Sequence, residues 1–334
     1  MGPIQRDLED LVRAGIITSD TAEQITRFYQ SKKDNPGNRF NVLLGILGAL
    51  LVSAGIVLVV AHNWDKLNRG LKTFFAFLPM VIGQGLCAYT LLRKKDSVLW
   101  RESSAVFLFF AMAAGISLVS QVYQISGSLE SFIFSWLLVT APLVYVMNSS
   151  VTSLLVIAGA TWYAYLVGYD SSDRFGVPWY YLAFLLFLAP HYYWYARHKR
   201  DSVFFHFHNW FGAVSIIITL GTVNSLLIMD WAFANYLALF SVYYLLGNTP
   251  YFRNFNILSN PFLITGLLGT LIILLINSFS AVWNELRHGG LEGGGEAGMI
   301  WLSFHYVLIL LLAIAVVLMV VTYRSGKKFD PVGF

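Results

Sequence analysis

Ten long apolar runs, almost free of charge, succeed one another between residues 41 and 323 of this sequence. They occupy residues 41–61, 71–92, 104–121, 132–147, 151–168, 179–196, 204–229, 231–246, 261–283 and 300–323. A helix needs about 20 apolar residues to cross the ~30 Å hydrocarbon layer, where only backbone that closes its own hydrogen bonds is tolerated. The runs therefore predict an all-α, polytopic membrane protein with about ten transmembrane helices. Only Asn148, Ser149 and Ser150 separate the fourth run from the fifth. Together those two are too long for one span, so the three polar residues predict a tight helical hairpin.

Composition agrees. Charged residues make up 12% of the 334-residue chain and hydrophobic ones 57%, against roughly 25% charged in a soluble domain. The net charge of +4 would suit nucleic acid only if the basic residues clustered on a soluble face. They sit between the apolar runs instead, so no nucleic-acid partner is expected. Cys87 is the one cysteine, which excludes an internal disulfide. The first 40 residues are polar and lack the short apolar core of a cleaved signal peptide, so insertion is expected through the first long run.

Lys and Arg fix an expected orientation, because basic loops are retained in the cytoplasm. With the N-terminus inside and ten crossings, inner segments hold 17 of the 22 basic residues and outer segments 5. Trp64, Trp100, Trp136, Trp179, Trp231, Trp283 and Trp301 fall near the expected boundaries, as interfacial aromatics do. The expected organisation is a cytoplasmic helical segment and linker at 1–40, a membrane domain at 41–323 and a cytoplasmic tail at 324–334. Within the first part, residues 4–30 read as a short helical hairpin broken at Gly15, with Leu8, Leu11, Val12, Ile16, Ile17, Ile25 and Phe28 on its apolar side. Thr18, Ser19 and Asp20 are N-cap candidates for the second helix, and Asp20 with Glu23 resembles a capping box. This hairpin either docks a protein partner or lies against its own membrane domain or the membrane surface.

Polar residues within or beside the runs mark candidate sites. On the expected outer side, Asn63 and Asp65 leave the first run, while Gln121, Tyr123 and Gln124 end the third. His305 lies in the outer half of the tenth. These six are the candidate ligand-binding residues, lining a cavity able to hold the polar head of an amphipathic molecule; the alternative is that the amides cap helices and bond to neighbouring spans. On the inner side, His191, His198, His206 and His208 fall within eighteen residues. Imidazole suits zinc, copper, iron or haem, yet the spacings supply too few ligands, and hydrogen bonding or lipid-headgroup contact is the expected role. No cofactor is expected. Gly45, Gly48 and Gly55 in the first run, and Gly266 and Gly269 in the ninth, read as helix-packing faces. The sequence holds no HExxH, no GxSxG and no phosphate-binding loop.

Three stretches carry a family resemblance: LEDLVRAGIITSDTAEQI at 8–25, GILGALLVSAGIVLVVAHNWDKL at 45–67 and ISLVSQVYQISG at 116–127. They resemble the predicted bacterial membrane proteins grouped as domain of unknown function 2157, over roughly the first 150 residues. The resemblance implies a bacterial inner-membrane protein and brings no reaction, substrate or catalytic residue. Three functions then compete. The first is binding or transport of a lipid-like or amphipathic small molecule, favoured by many spans, abundant aromatics and few buried acids. The second is a noncatalytic membrane partner that docks through its N-terminal helices. The third is a histidine-dependent enzyme acting on lipid. Membrane lipids are expected contacts in all three.

Overall fold

A computed structural model describes residues 8, 11–31, 64–170, 178–224, 229–279 and 297–324. The first apolar run with its three glycines, Asn63, and the glycine-rich stretch around Gly293 lie outside the described residues. The chain divides into two compact units, Met1–Arg69 and Gly70–Phe334.

In the first unit, a helical turn at residues 11–13 ends where the sequence predicts a break. Gly15 adopts φ +69°. Its N–H reaches Val12 O at 3.0 Å, and that of Ile16 reaches Leu11 O at 3.0 Å. This is the double closure that terminates helices at a left-handed glycine. Helix α1, Ser19–Ser31, follows. Its cap is Thr18, whose Oγ1 accepts from Thr21 N at 3.3 Å. Asp20 is not the cap: it sits inside the first turn and accepts from Gln24 Nε2 at 3.0 Å.

The second unit is helical, with no strand among its described residues. Its helices are α2 (Arg69–Arg93), α3 (Val98–Tyr123), α4 (Leu129–Thr140), α5 (Leu143–Val146), α6 (Ser150–Tyr165), α7 (Trp179–His198), α8 (Val203–Asn224), α9 (Met229–Gly247), α10 (Pro261–Asn277) and α11 (Ala297–Arg324). The described part of each apolar run from the second onward falls on one of them, the fourth being broken at Pro142 into α4 and α5. Among the described residues five segments are long and apolar enough to cross a membrane: α2, α3, α4 with α5, α6 with the π-helical turn Leu166–Asp170 that continues it, and α8. Between α5 and α6 the chain reverses as the polar triplet predicts. Asn148 takes φ +46°, a conformation asparagine tolerates, and Ser149 caps α6 by accepting from Thr152 N at 3.1 Å.

Helix α6 is the hub. It packs against α3, α4, α7 and α8, while α9 packs against α10 and α11. Its apolar window is 56% buried, against 22% for the peripheral α2. The outer faces carry large exposed apolar side chains such as Phe74, Leu92, Leu186, Leu271 and Val317. A water-soluble monomer rarely shows apolar surface on this scale. Several hydroxyls inside the helices are satisfied locally: Thr90, Ser104, Thr140 and Thr270 each bond the carbonyl four residues back at 2.7–2.8 Å. A Ser or Thr can thus enter an apolar helix without an orphaned donor. Gly266 and Gly269 behave as the sequence suggests, each bringing α10 directly onto α9.

Candidate functional site

Two polar features stand at opposite ends of α3. The first forms where α3 passes into α4. Gln124 closes α3 in the left-handed region at φ +53°, uncommon for a residue with a side chain. Ile125 N then bonds Ser120 O at 2.9 Å, and Ser120 Oγ donates to Ile125 O at 2.9 Å. Four residues on, Ser128 caps α4 by accepting from Ser131 N at 3.3 Å, while its hydroxyl donates to Glu130 Oε2 at 2.9 Å. The two helix ends and α2 enclose a cleft of about 430 Å³. Its apolar wall is Phe77, Met80, Ile116, Val119 and Phe132, and its polar rim is Ser120, Ser126, Ser128 and Ser131. Gly115 makes the wall possible, since a methyl there would fall 2.4 Å from Met80 Sδ. Among the described residues no charged side chain lines the cleft. It offers hydroxyls at one end and hydrocarbon at the other.

Of the six residues the sequence nominates, three are described with their side chains. Gln121 is exposed on the last turn of α3, and Gln124 is exposed at its left-handed cap. The Tyr123 hydroxyl lies 3.2 Å from Thr73 Oγ1, tying α3 to α2. All three flank the cleft, whose lining comes from the serines just beyond them. Asp65 lies in the short turn Trp64–Lys66 and His305 in α11, both with side chains outside the described residues, as is Asn63 altogether. The missed signal is the spacing of Ser128, Ser131 and Ser135. Three and four residues apart, they share one face of α4 from its cap onward.

The second feature surrounds the start of α6. Glu102, in the second turn of α3, reaches across to that helix. One carboxylate oxygen accepts from Ser150 N at 2.9 Å, and the other from Val151 N at 3.0 Å and from the Ser149 hydroxyl. A negative charge at a helix N-terminus meets unpaired N–H groups and the positive end of the macrodipole. The Ser150 hydroxyl goes on to the Tyr195 hydroxyl of α7. The Tyr195 ring stacks near His208, 6.0 Å between centroids, and lies 5.1 Å from His191. His208 Nδ1 is 2.7 Å from Phe204 O and its Nε2 is 2.9 Å from Ser153 Oγ. A carbonyl only accepts, so the neutral ring carries its proton on Nδ1 and takes the Ser153 hydroxyl at Nε2.

The four clustered histidines therefore separate. His191 and His208 are both buried, with rings 6.0 Å apart, and His191 Nε2 has no hydrogen-bond partner among the described residues. His206 is two residues from His208, about 200° around the helix, and packs on Phe255 at 5.0 Å. His198 is exposed and stacks on Trp194 at 5.2 Å. Among the described residues, no three His, Cys, Asp or Glu side chains gather closely enough to hold a metal ion. Beside this cluster, Arg200 lies over Tyr251 at 4.4 Å and Phe255 at 4.7 Å and donates to Tyr251 O. Burial pushes the Tyr251 phenol up, and the Arg200 and Arg197 guanidiniums partly oppose that.

Apolar helices with an apolar exterior define a helical membrane protein. The family model for domain of unknown function 2157, described as a predicted membrane protein, matches residues 9–153. The resemblance carried by the three N-terminal motifs is thus borne out over that stretch. No curated protein and no solved structure matches the chain.

Proposed function

We propose that this is a multi-pass protein of a bacterial inner membrane, with both termini in the cytoplasm, that binds a lipid-like or other amphipathic small molecule and carries it. The cleft between α2, α3 and α4 is the observation that carries this reading. Its serine rim suits an uncharged or zwitterionic head, and Phe77, Met80, Ile116 and Phe132 suit a hydrocarbon tail. A site of about 430 Å³ falls within the range of small-molecule pockets, roughly 300–1,000 Å³. The excess of basic residues in the segments assigned to the inside supports an outer-side position for the cleft.

The test uses purified protein in liposomes and a fluorescent lysophospholipid. Ile116→Trp fills the cleft and should weaken binding at least ~10-fold, the loss of a few well-packed apolar contacts, while Leu271→Trp on an exposed face of α10 should leave it unchanged. Undiminished binding by Ile116→Trp removes the cleft from the reading. Equal movement of the probe with and without the protein removes the carrier activity.

A second reading is a membrane partner that docks through its N-terminal segment. The exposure of Ile16, 69%, and of Leu11, 36%, favours it, because two apolar side chains stand uncovered beside α1. Deleting residues 1–38 separates the readings: probe binding survives if the cleft is the site, and recovery of a co-purifying protein is lost if the segment docks one.

A further inference from the structure

The C-terminal end of α7 and the two residues after it hold cations, not all of which the fold itself uses. Arg200 is consumed internally by Tyr251 and Phe255. Arg197, His198 and Lys199 are all exposed. Each is held from below by an aromatic ring. Arg197 Nε donates to the Tyr193 hydroxyl at 3.1 Å, with its guanidinium carbon 5.4 Å from the ring centre. The Lys199 ammonium lies 5.4 Å from Trp194 and 5.8 Å from Tyr195. His198 stacks on Trp194, and its Nδ1 is 3.0 Å from Trp194 O, which leaves Nε2 for a partner outside the helix. Among the described residues no carboxylate pairs with Arg197 or Lys199. Cations seated on aromatic faces give up side-chain freedom before a ligand arrives, which lowers the cost of binding an anion.

The same helix shows which anion fits. Leu182, Leu186 and Tyr193 are 54%, 76% and 59% exposed. At spacings of four and seven residues they form one stripe that ends at Arg197. From Leu182 to Arg197 the stripe runs ~22 Å at 1.5 Å per residue, about the length of an acyl chain. A free phosphate would use only the charged end. An anionic phospholipid uses both, with its phosphate at Arg197 and Lys199 and a chain along Leu186 and Leu182.

We propose that the end of α7 is a binding site for an anionic phospholipid of the adjacent leaflet, with Arg197 and Lys199 as its phosphate ligands and Tyr193 and Trp194 as their supports. The proposal rests on the membrane setting and is independent of the serine-rimmed cleft. Native mass spectrometry of the full chain in detergent, titrated with phosphatidylglycerol or phosphatidylcholine, tests it. Each cation in contact with the bound lipid's phosphate contributes about a fivefold gain in affinity. The Arg197→Gln/Lys199→Gln pair should therefore lose roughly 25-fold for phosphatidylglycerol and change little for phosphatidylcholine. Lys199→Arg keeps the charge and should keep the binding. Lys94→Gln/Lys95→Gln, exposed in the loop before α3, should stay within about twofold of the parent. Both double variants alter exposed side chains, and unchanged melting without lipid shows that they fold. Equal phosphatidylglycerol binding by the Arg197/Lys199 variant overturns the proposal. Displacement of the lipid by equimolar inorganic phosphate also overturns it, because the site would then belong to a free anion.

Discussion

Glu102→Ala should lower the stability of the helical unit by about 3 kcal/mol, the largest effect expected of any single carboxylate here. Its two oxygens accept from Ser150 N, Val151 N and the Ser149 hydroxyl, so three donors at the start of α6 lose their partner together. Hydrogen bonds to a charged group contribute about 1.5–3 kcal/mol each, and a carboxylate at a helix N-terminus adds up to ~2 kcal/mol in partly buried settings. Glu102 is only half-buried, and water can replace part of what is lost, which brings the sum down to the figure given. Glu102→Gln keeps an acceptor but loses the charge, and should cost roughly 1–1.5 kcal/mol. Thermal melts in detergent, with both variants beside the parent, read the order Ala below Gln below parent. A Glu102→Ala melt equal to the parent would mean that α6 is not held by this carboxylate.

The same residue shows where the sequence is legible and where it is silent. The apolar runs are readable because the bilayer demands one number, about 20 apolar residues per crossing, and α2 through α11 fall where those runs predict. The α5–α6 reversal is readable because Asn148 tolerates positive φ and Ser149 caps. The break at Gly15 is readable for the same kind of reason: it is set by local backbone chemistry. Glu102 lies 48 residues before Ser150, its partner, and no local pattern announces a pairing across the bundle. Clustering in sequence misleads for the histidines. It groups His206 with His208, which helical geometry turns to different sides, and hides His191 with His208, which the antiparallel return of α8 on α7 brings together. At the cleft the amides Gln121 and Gln124 stand out in a list of polar residues, yet the lining falls to serines, whose small hydroxyls leave the volume open.

Gly266→Leu should destabilise the protein by more than ~3 kcal/mol, and even Gly266→Ala by about 2 kcal/mol. A methyl built at Gly266 would lie 2.6 Å from Tyr244 N and 2.9 Å from Phe240 O, both backbone atoms of α9. No rotamer change relieves contact with backbone, so α10 must move off α9 along its length. Gly247 meets the same helix pair from the other side, with a methyl there 2.6 Å from Leu263 N, so a shift at one glycine cannot be absorbed at the other. In lipid this matters more than in water: once inserted, helices associate through close van der Waals packing, and small residues are what permit the approach. Gly269 differs in kind, since its obstruction is the Phe240 ring; a ring can rotate, so Gly269→Ala should cost less than Gly266→Ala. Gly85 on α2 is the control. Among the described residues nothing lies within 4 Å of a methyl there, and Gly85→Ala should be neutral or stabilise by up to ~1 kcal/mol through helix propensity alone. Melting of the four variants in one detergent should order them Gly85→Ala, Gly269→Ala, Gly266→Ala, Gly266→Leu from most to least stable. If Gly266→Ala melts with Gly85→Ala, α9 and α10 are not in backbone contact, and the packing assigned to the C-terminal half of the bundle is wrong.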